Sequence, residues 1–381
     1  MAHTKLAQPQ LIPQNHHWLE KFENRFTDFW GWSLAALSVY LFWVNSPLAL
    51  IFEDTRYALF ESADLLALVL SLAVGVVMTI RAEAKRRRSE NVGASRYYLQ
   101  TAVRYLLVYI FLVYGFAKVF GQQFYSAAST LDTAVGELSG LQLTWRFFGY
   151  SYAYTLFVAA AQIISAMLLM FRRTTTLGAV ILLPVITNIV IINFTHHIPV
   201  KLYSSFYLIM VNFLLFLDFR RLKALFWDNR TFAQPTIQLP PTSKWRRVIK
   251  TLIITAFFMA TIGENYYANK SDASGIEPTM KGVWEVTEYR VNELPVSDSQ
   301  AAVWQRVYFD FAFRIAIKTE NPKPKYYFST FDIANRTIRL EEMQSKAVFV
   351  EGTYELSTAD RMILNLTQGE DRIRVTLHKI S

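Results

Sequence analysis

Seven stretches of this 381-residue chain run for roughly 20 residues with almost no charge. A soluble core does not need uninterrupted apolar runs of that length. In lipid such a run satisfies its backbone only as a helix. The chain is therefore expected to be an α-helical polytopic membrane protein, with spans near residues 29–52, 62–81, 98–121, 147–171, 175–195, 200–218 and 247–267.

Charge gives the expected orientation. The net charge of +9 would draw attention to nucleic acid, but residues 1–268 hold 24 Lys/Arg against 14 Asp/Glu, and residues 269–381 hold 15 against 16. The basic excess belongs to the oily part, where it sets topology, so no nucleic-acid partner is expected. "RAEAKRRRSE" follows the second span, "RR" the fourth and "FRRLKALFWDNR" the sixth. The opposite side, before residue 268, holds only Arg56, Lys118, Arg146 and Lys201. This asymmetry predicts a cytoplasmic N-terminus and a periplasmic C-terminal region in a bacterial inner membrane. The first 28 residues lack an apolar core of signal-peptide type, so the first span is expected to serve as the insertion signal. The chain has no cysteine, which removes disulfides, thiolate nucleophiles and thiolate-held metals from its own chemistry.

The composition changes after Tyr267. Segments such as "GVWEVTEYRV", "KYYFSTFDI" and "RIRVTLHKI" alternate with period two and are broken by turn residues. About eight such strands predict an up-and-down antiparallel sheet closed into a small all-β barrel. Gly282 and Trp284 resemble the GxW start of lipocalin-like barrels. That resemblance implies a Trp plugging the closed end, with Arg374 of the last strand over its ring. The expected organisation is a tail at 1–28, two leading spans at 29–81, a four-helix bundle at 96–222, a linker at 223–246, a seventh span at 247–268 and the β domain at 276–381.

Polar residues inside spans need partners. At 100° per residue the third span aligns Gln100, Arg104, Lys118 and Gln122, with Tyr114 beside them; the fourth aligns Ser151, Thr155, Gln162 and Ser165. The fifth carries Asn188, with His196 and His197 at its outer end, and the sixth aligns Lys201, Ser205 and Asn212. Four polar faces predict a bundle with a polar interior. Interhelical hydrogen bonding and snorkelling account for such residues equally well, without any ligand. Lys118, Gln122, His196, His197 and Lys201 together would form an electropositive cup at the outer mouth, suited to a quinone, a lipid headgroup or a small anion. Adjacent histidines point apart on a helix, so no metal site is expected, and no set of catalytic residues can be assembled.

"VRYLLVYIFLVYGFAKVFGQQF" (103–124), the run from 143 to 194 and "IPVKLYSSFYLIMVNFLLFLDFRRL" (198–222) resemble the DoxX-like family of four-helix membrane proteins. The full layout is similar to its long Bacteroidota-type members with a lipocalin-like β domain. The resemblance highlights Arg104, Gly115, Lys118, Gly149, Pro199 and Lys201. It implies a link to quinone- or thiol-dependent redox assemblies, with a partner oxidoreductase subunit supplying the redox centre. A glutamate common in the family's helix that here holds Gln162 is replaced by a neutral residue. Three roles follow: an accessory subunit of an envelope redox assembly with a bound quinone or lipid, a binding or transport protein whose barrel receives a small amphiphilic ligand, or an enzyme using Lys118 or a histidine as base.

Overall fold

A computed structural model describes residues 17–44, 53–88, 93–229, 279–296, 303–311, 314–321, 323–343 and 345–380, with single positions between 245 and 266. The described residues include nine α-helices: α1 (His17–Val44), α2 (Glu53–Arg87), α3 (Gly93–Val119), α4 (Ala128–Leu131), α5 (Gly140–Tyr150), α6 (Tyr152–Met170), α7 (Thr175–Thr195), α8 (Lys201–Leu217) and α9 (Phe219–Phe226). Four stretches are long and apolar enough to cross a membrane: Asp64–Arg87, Tyr97–Val119, Tyr152–Met170 and Arg172–Thr195. Lys201–Leu217 and Phe219–Phe226, bent by 71°, add a fifth if they form one span. The chain is a membrane protein, but the described residues account for fewer than the seven expected spans. The seventh lies almost wholly outside them, as does the end of the first. The fourth expected span is two helices, because Ser151 adopts an extended conformation between α5 and α6.

The chain divides into two compact units, Met1–Leu112 with Ala161–Val190 and Leu202–Thr251, and Val113–Ala160 with Ile191–Lys201 and Leu252–Ser381. In the first, α1 buries Leu34, Leu37 and Leu41, the i, i+3, i+7 stripe of one helical face. Gly75 lets α2 approach it closely, since a Cβ there would meet Ser33 Oγ at 2.0 Å. Charged pairs tie the helix ends: Asp28 with Arg86, Glu83 with Arg25 at 3.3 Å, and Glu23 with Arg220 at 2.5 Å. In α3 every residue from Leu106 to Leu112 is buried, as expected of a helix apolar on all sides.

The second unit contains the barrel. Its strands are β1 (Gly282–Val291), β2 (Leu294–Pro295), β3 (Arg306–Phe311), β4 (Arg314–Lys318), β5 (Lys325–Asp332), β6 (Thr337–Glu342), β7 (Val348–Thr358), β8 (Arg361–Gln368) and β9 (Asp371–Lys379). Apart from the two-residue β2, each pairs antiparallel with the next, and β1 pairs with β9 to close an eight-stranded barrel. This is the closed up-and-down sheet that the alternation predicts. Alternate residues point inward, such as Val307 and Phe309, Ile315 and Ile317, or Met362, Leu364 and Leu366, and these form one packed core. Trp284 is fully buried in that core and donates from Nε1 to the Met280 carbonyl at 2.7 Å. Gly282 opens β1 at φ +132°, a conformation that side chains disfavour.

The expectation for Arg374 needs correction. It is exposed and lies opposite Arg290 and Asn365, whereas the residue opposite Trp284 is Lys379. The cation over the indole ring is therefore Lys379, with Nζ 5.6 Å from the ring centroid. The cause is register: Arg374 falls on the outward phase of β9, between the inward Ile373 and Val375.

Candidate functional site

Lys118 stands in the last turn of α3 and is 3% exposed. A buried ammonium needs acceptors. Its Nζ donates to Gln123 Oε1 at 2.7 Å and to the Tyr114 carbonyl at 3.1 Å, and lies 5.4 Å from the Phe124 ring and 5.9 Å from the Tyr114 ring. The chain can supply these partners because α3 ends abruptly. The amides of Gln122 and Gln123 both return to the Ala117 carbonyl, at 2.8 and 3.1 Å, and Gly121 takes φ +71°. Gln123 thereby reaches the ammonium.

The segment after that turn is held from beside it. Phe124 stacks on Phe148 of α5 at 4.8 Å and meets Trp145 edge-on at 5.4 Å. Gly149 makes this approach feasible, since a Cβ would stand 2.2 Å from the Phe124 carbonyl oxygen. α5 begins with a capping box, Ser139 and Gln142 each bonding the other's backbone amide. At its first residue, a Cβ on Gly140 would meet the His196 carbonyl oxygen at 2.7 Å, so the end of α7 also abuts this region.

Residues 128–132 are gripped by the barrel. On β3, "RVYFDF", Val307 and Phe309 point inward, so Arg306, Tyr308 and Asp310 form one outward row. The Asp310 carboxylate accepts from the Ala128 amide at 2.7 Å, the Ser129 amide at 3.2 Å and the Ser129 hydroxyl at 2.7 Å. The barrel thus caps the four-residue α4, whose first amides have no partner within the helix. Asp132 Oδ2 accepts from Arg306 Nη1 at 2.7 Å, from Lys318 Nζ at 3.3 Å and from the Tyr308 hydroxyl. Beneath them Val283, Tyr308 and Ala316 pack with Ala128 and Tyr326 in a small apolar patch. Burial opposes ionisation of Asp132, but the hydrogen bonds from Tyr308, Arg306 and Lys318 outweigh it and keep its carboxyl below the ordinary value. The bond to Asp132 in turn raises Arg306 above its usual range.

Of the expected cup, Lys118 and Tyr114 contribute to one site. His196 Nδ1 lies 3.1 Å from the Thr195 hydroxyl, while His197 is exposed at φ +54°. Gln122, Lys201 and Ser205 are half-buried. Arg104 is buried and donates to the Thr175 hydroxyl at 3.3 Å, with its guanidinium 5.2 Å from the Tyr105 ring. Gln162 is 1% exposed. Asn188 and Asn212 do not face the interior. Both are exposed, and Asn212 Nδ2 donates to the Leu208 carbonyl of its own helix at 2.9 Å. α7 instead buries Leu182, Ile186 and Asn193, and α8 buries Met210 and Leu214. The larger apolar residues took the packed faces and turned those amides outward. Asp64 accepts from Tyr203 at 2.8 and 3.0 Å and from Tyr40. No metal-binding cluster occurs among the described residues.

Sequence reasoning missed the β3 row. The signal was present, since period-two alternation in "RVYFDF" puts its arginine, tyrosine and aspartate on one face. What it could not supply was the ligand for that row, a loop almost 180 residues away in the chain.

Among known proteins the chain is similar to the uncharacterized protein YwoB of Bacillus subtilis, with 39% identity over 133 residues. The match spans 35% of this chain and 85% of that protein. No family model matches the chain, and no solved structure does.

Proposed function

We propose that this chain, which belongs to the same family as YwoB, is a non-catalytic accessory subunit of a quinone- or thiol-linked redox assembly in the bacterial envelope. It resides in the inner membrane with its N-terminus in the cytoplasm and its barrel in the periplasm, the arrangement favoured by the Lys/Arg asymmetry. The observation that carries the reading is the filled barrel. Trp284, Trp304, Phe309, Tyr327, Tyr354 and their neighbours occupy its interior. Large buried side chains line the interior of this small barrel, so its outer surface is what it offers a partner. One outward row already holds a segment of this same chain. Docking surfaces of this kind belong to a subunit more than to a carrier.

The DoxX-like resemblance supplies the redox setting. With no cysteine in the chain, thiol chemistry belongs to a partner oxidoreductase subunit. The Lys118 region is the place where a quinone carbonyl or a lipid would meet the bundle, since it concentrates a buried cation, an amide and aromatic rings.

The test is gentle purification from the native membrane, followed by native mass spectrometry and analysis of an organic extract. The expected result is a stable complex with a second subunit that carries the redox centre, together with a stoichiometric quinone or lipid. A solitary chain that turns over substrate unaided would overturn the accessory role. Tight capture of an amphiphile inside the barrel would move the function to binding and transport.

A further inference from the structure

A second feature of the α5–α6 junction is independent of the accessory role. Val135, Leu143, Arg146, Phe147, Tyr150, Ser151 and Tyr154 enclose an open cavity of about 510 Å³. Pockets for small molecules span roughly 300–1,000 Å³, mostly apolar with a few placed polar groups, and this one fits that description. Among the described residues that line it, Arg146 alone is charged. The Nη1 of Arg146 is buried with no hydrogen-bond partner, and among the described residues no acidic side chain pairs with this guanidinium. A partly desolvated cation without a counter-ion is costly. An anion in the cavity would neutralise it.

The surroundings indicate what enters. Leu143, Phe147, Tyr150 and Tyr154 are large apolar or aromatic residues that remain exposed, at 42, 64, 91 and 43%. Tyr154 belongs to the first turn of the stretch Tyr152–Met170, which is long enough to cross a membrane. The cavity therefore sits at the end of a span, the level of lipid headgroups, where tyrosine and arginine are favoured. Phe147 and Tyr154 meet edge-on at 6.0 Å and form a wall for an alkyl chain.

We propose that this cavity is a binding site for an anionic phospholipid of the surrounding bilayer. The headgroup phosphate pairs with the Arg146 guanidinium, and the upper part of one acyl chain lies along Leu143, Phe147 and Tyr154. Arginine suits this role because its planar fork engages phosphate oxygens in pairs.

The experiment uses the delipidated full-length protein in a neutral detergent, titrated with short-chain phosphatidylglycerol and, separately, with phosphatidylcholine of the same chains, and read by native mass spectrometry. One phosphatidylglycerol is expected per chain, bound about tenfold more tightly than phosphatidylcholine, whose choline ammonium offsets the phosphate charge that faces Arg146. Arg146→Gln should remove that preference, while Arg146→Lys, which keeps the charge, should retain it at reduced affinity. Tyr154→Ala should weaken both lipids alike and leave the headgroup preference intact. Equal affinity of the wild type for both lipids, or an unchanged preference in Arg146→Gln, overturns the proposal. Inorganic phosphate that displaces the lipid at equal concentration would show an anion site without a chain site, and overturns the lipid assignment.

Discussion

Replacing Asp310 with alanine removes the acceptor that joins the barrel to residues 128 and 129. Its carboxylate takes two backbone amides and one hydroxyl, at 2.7, 3.2 and 2.7 Å. Asp310 is 7% exposed and Ser129 fully buried, so water cannot readily replace the lost bonds. A hydrogen bond to a charged acceptor contributes about 1.5–3 kcal/mol, and a buried donor left unsatisfied costs about 1–3 kcal/mol. The three bonds share one carboxylate and do not add, and the Ser129 hydroxyl retains Tyr326 at 3.3 Å. A net loss of about 3 kcal/mol in the docking of this segment follows. At 1.4 kcal/mol per decade, the undocked population should rise about 100-fold. Hydrogen exchange read by mass spectrometry measures this directly, because the amides of Ala128 and Ser129 are themselves the donors. In Asp310→Ala, peptides covering 125–135 should exchange about 100-fold faster, and peptides from β7 and β8 should keep wild-type protection. Asp310→Asn keeps one acceptor oxygen and should show a smaller effect, about tenfold. Unchanged protection at 128–129 in a folded Asp310→Ala protein would refute the view that this carboxylate holds the segment.

Three further outcomes are expected. The carboxyl of Asp132 lies below its ordinary 3.8, because bonds from Tyr308, Arg306 and Lys318 outweigh the effect of burial. Its contribution is therefore complete above that value and lost as pH falls through the folded one, so exchange at 128–132 should rise only below about pH 4, and Asp132→Asn should flatten the profile. Gly149→Ala places a Cβ 2.2 Å from the Phe124 carbonyl oxygen and should destabilise the α5 contact by about 1–3 kcal/mol, read as a lower thermal midpoint in detergent. Trp284→Ala removes a fully buried indole and its 2.7 Å bond to Met280, and should cost the barrel about 3–5 kcal/mol in denaturant unfolding while the helical signal persists.

The sequence carried the barrel well, because alternation there is regular and both faces have opposite demands. Inward Ile315 and Ile317, or Met362 and Leu364, leave no alternative register that keeps the core apolar. The up-and-down order was legible, but the placement of single residues was not. Arg374 and Lys379 lie five residues apart on one strand and therefore on opposite faces, and Arg374 falls on the outward one. The helices were harder. Polar residues at Asn188 and Asn212 satisfy a 100° pattern as well as Asn193 and Ser204 do, yet only the latter two are buried. In a helix apolar on all sides, a polar stripe has no opposite face to define it. The packed side is then chosen by the fit of large residues such as Phe213 and Met210. Gln123 was missed for a related reason: helical periodicity was carried past Val119, where the backbone had already turned.

The placement of the two gripped points has a mechanical consequence within the second unit. Phe124 is fixed by Phe148 and by the contact that Gly149 permits, and Ser129 is fixed by Asp310. Five residue steps separate them, a reach of about 17 Å when fully extended. Phe124 also lies over the Lys118 ammonium, and its neighbour Gln123 bonds that ammonium directly. The end of α3 and the outer face of β3 are therefore joined by a short strap with specific attachments at both ends. Separation of the barrel from this loop must break the cap on α4 and the bonds to Asp132, whereas separation of the strap from α5 must break the stacking on Phe148. Because the barrel core is packed independently of both, its folding and its docking are separate events: Trp284→Ala acts on the first, Asp310→Ala on the second, and only the second should alter the surroundings of Lys118 while the barrel remains folded.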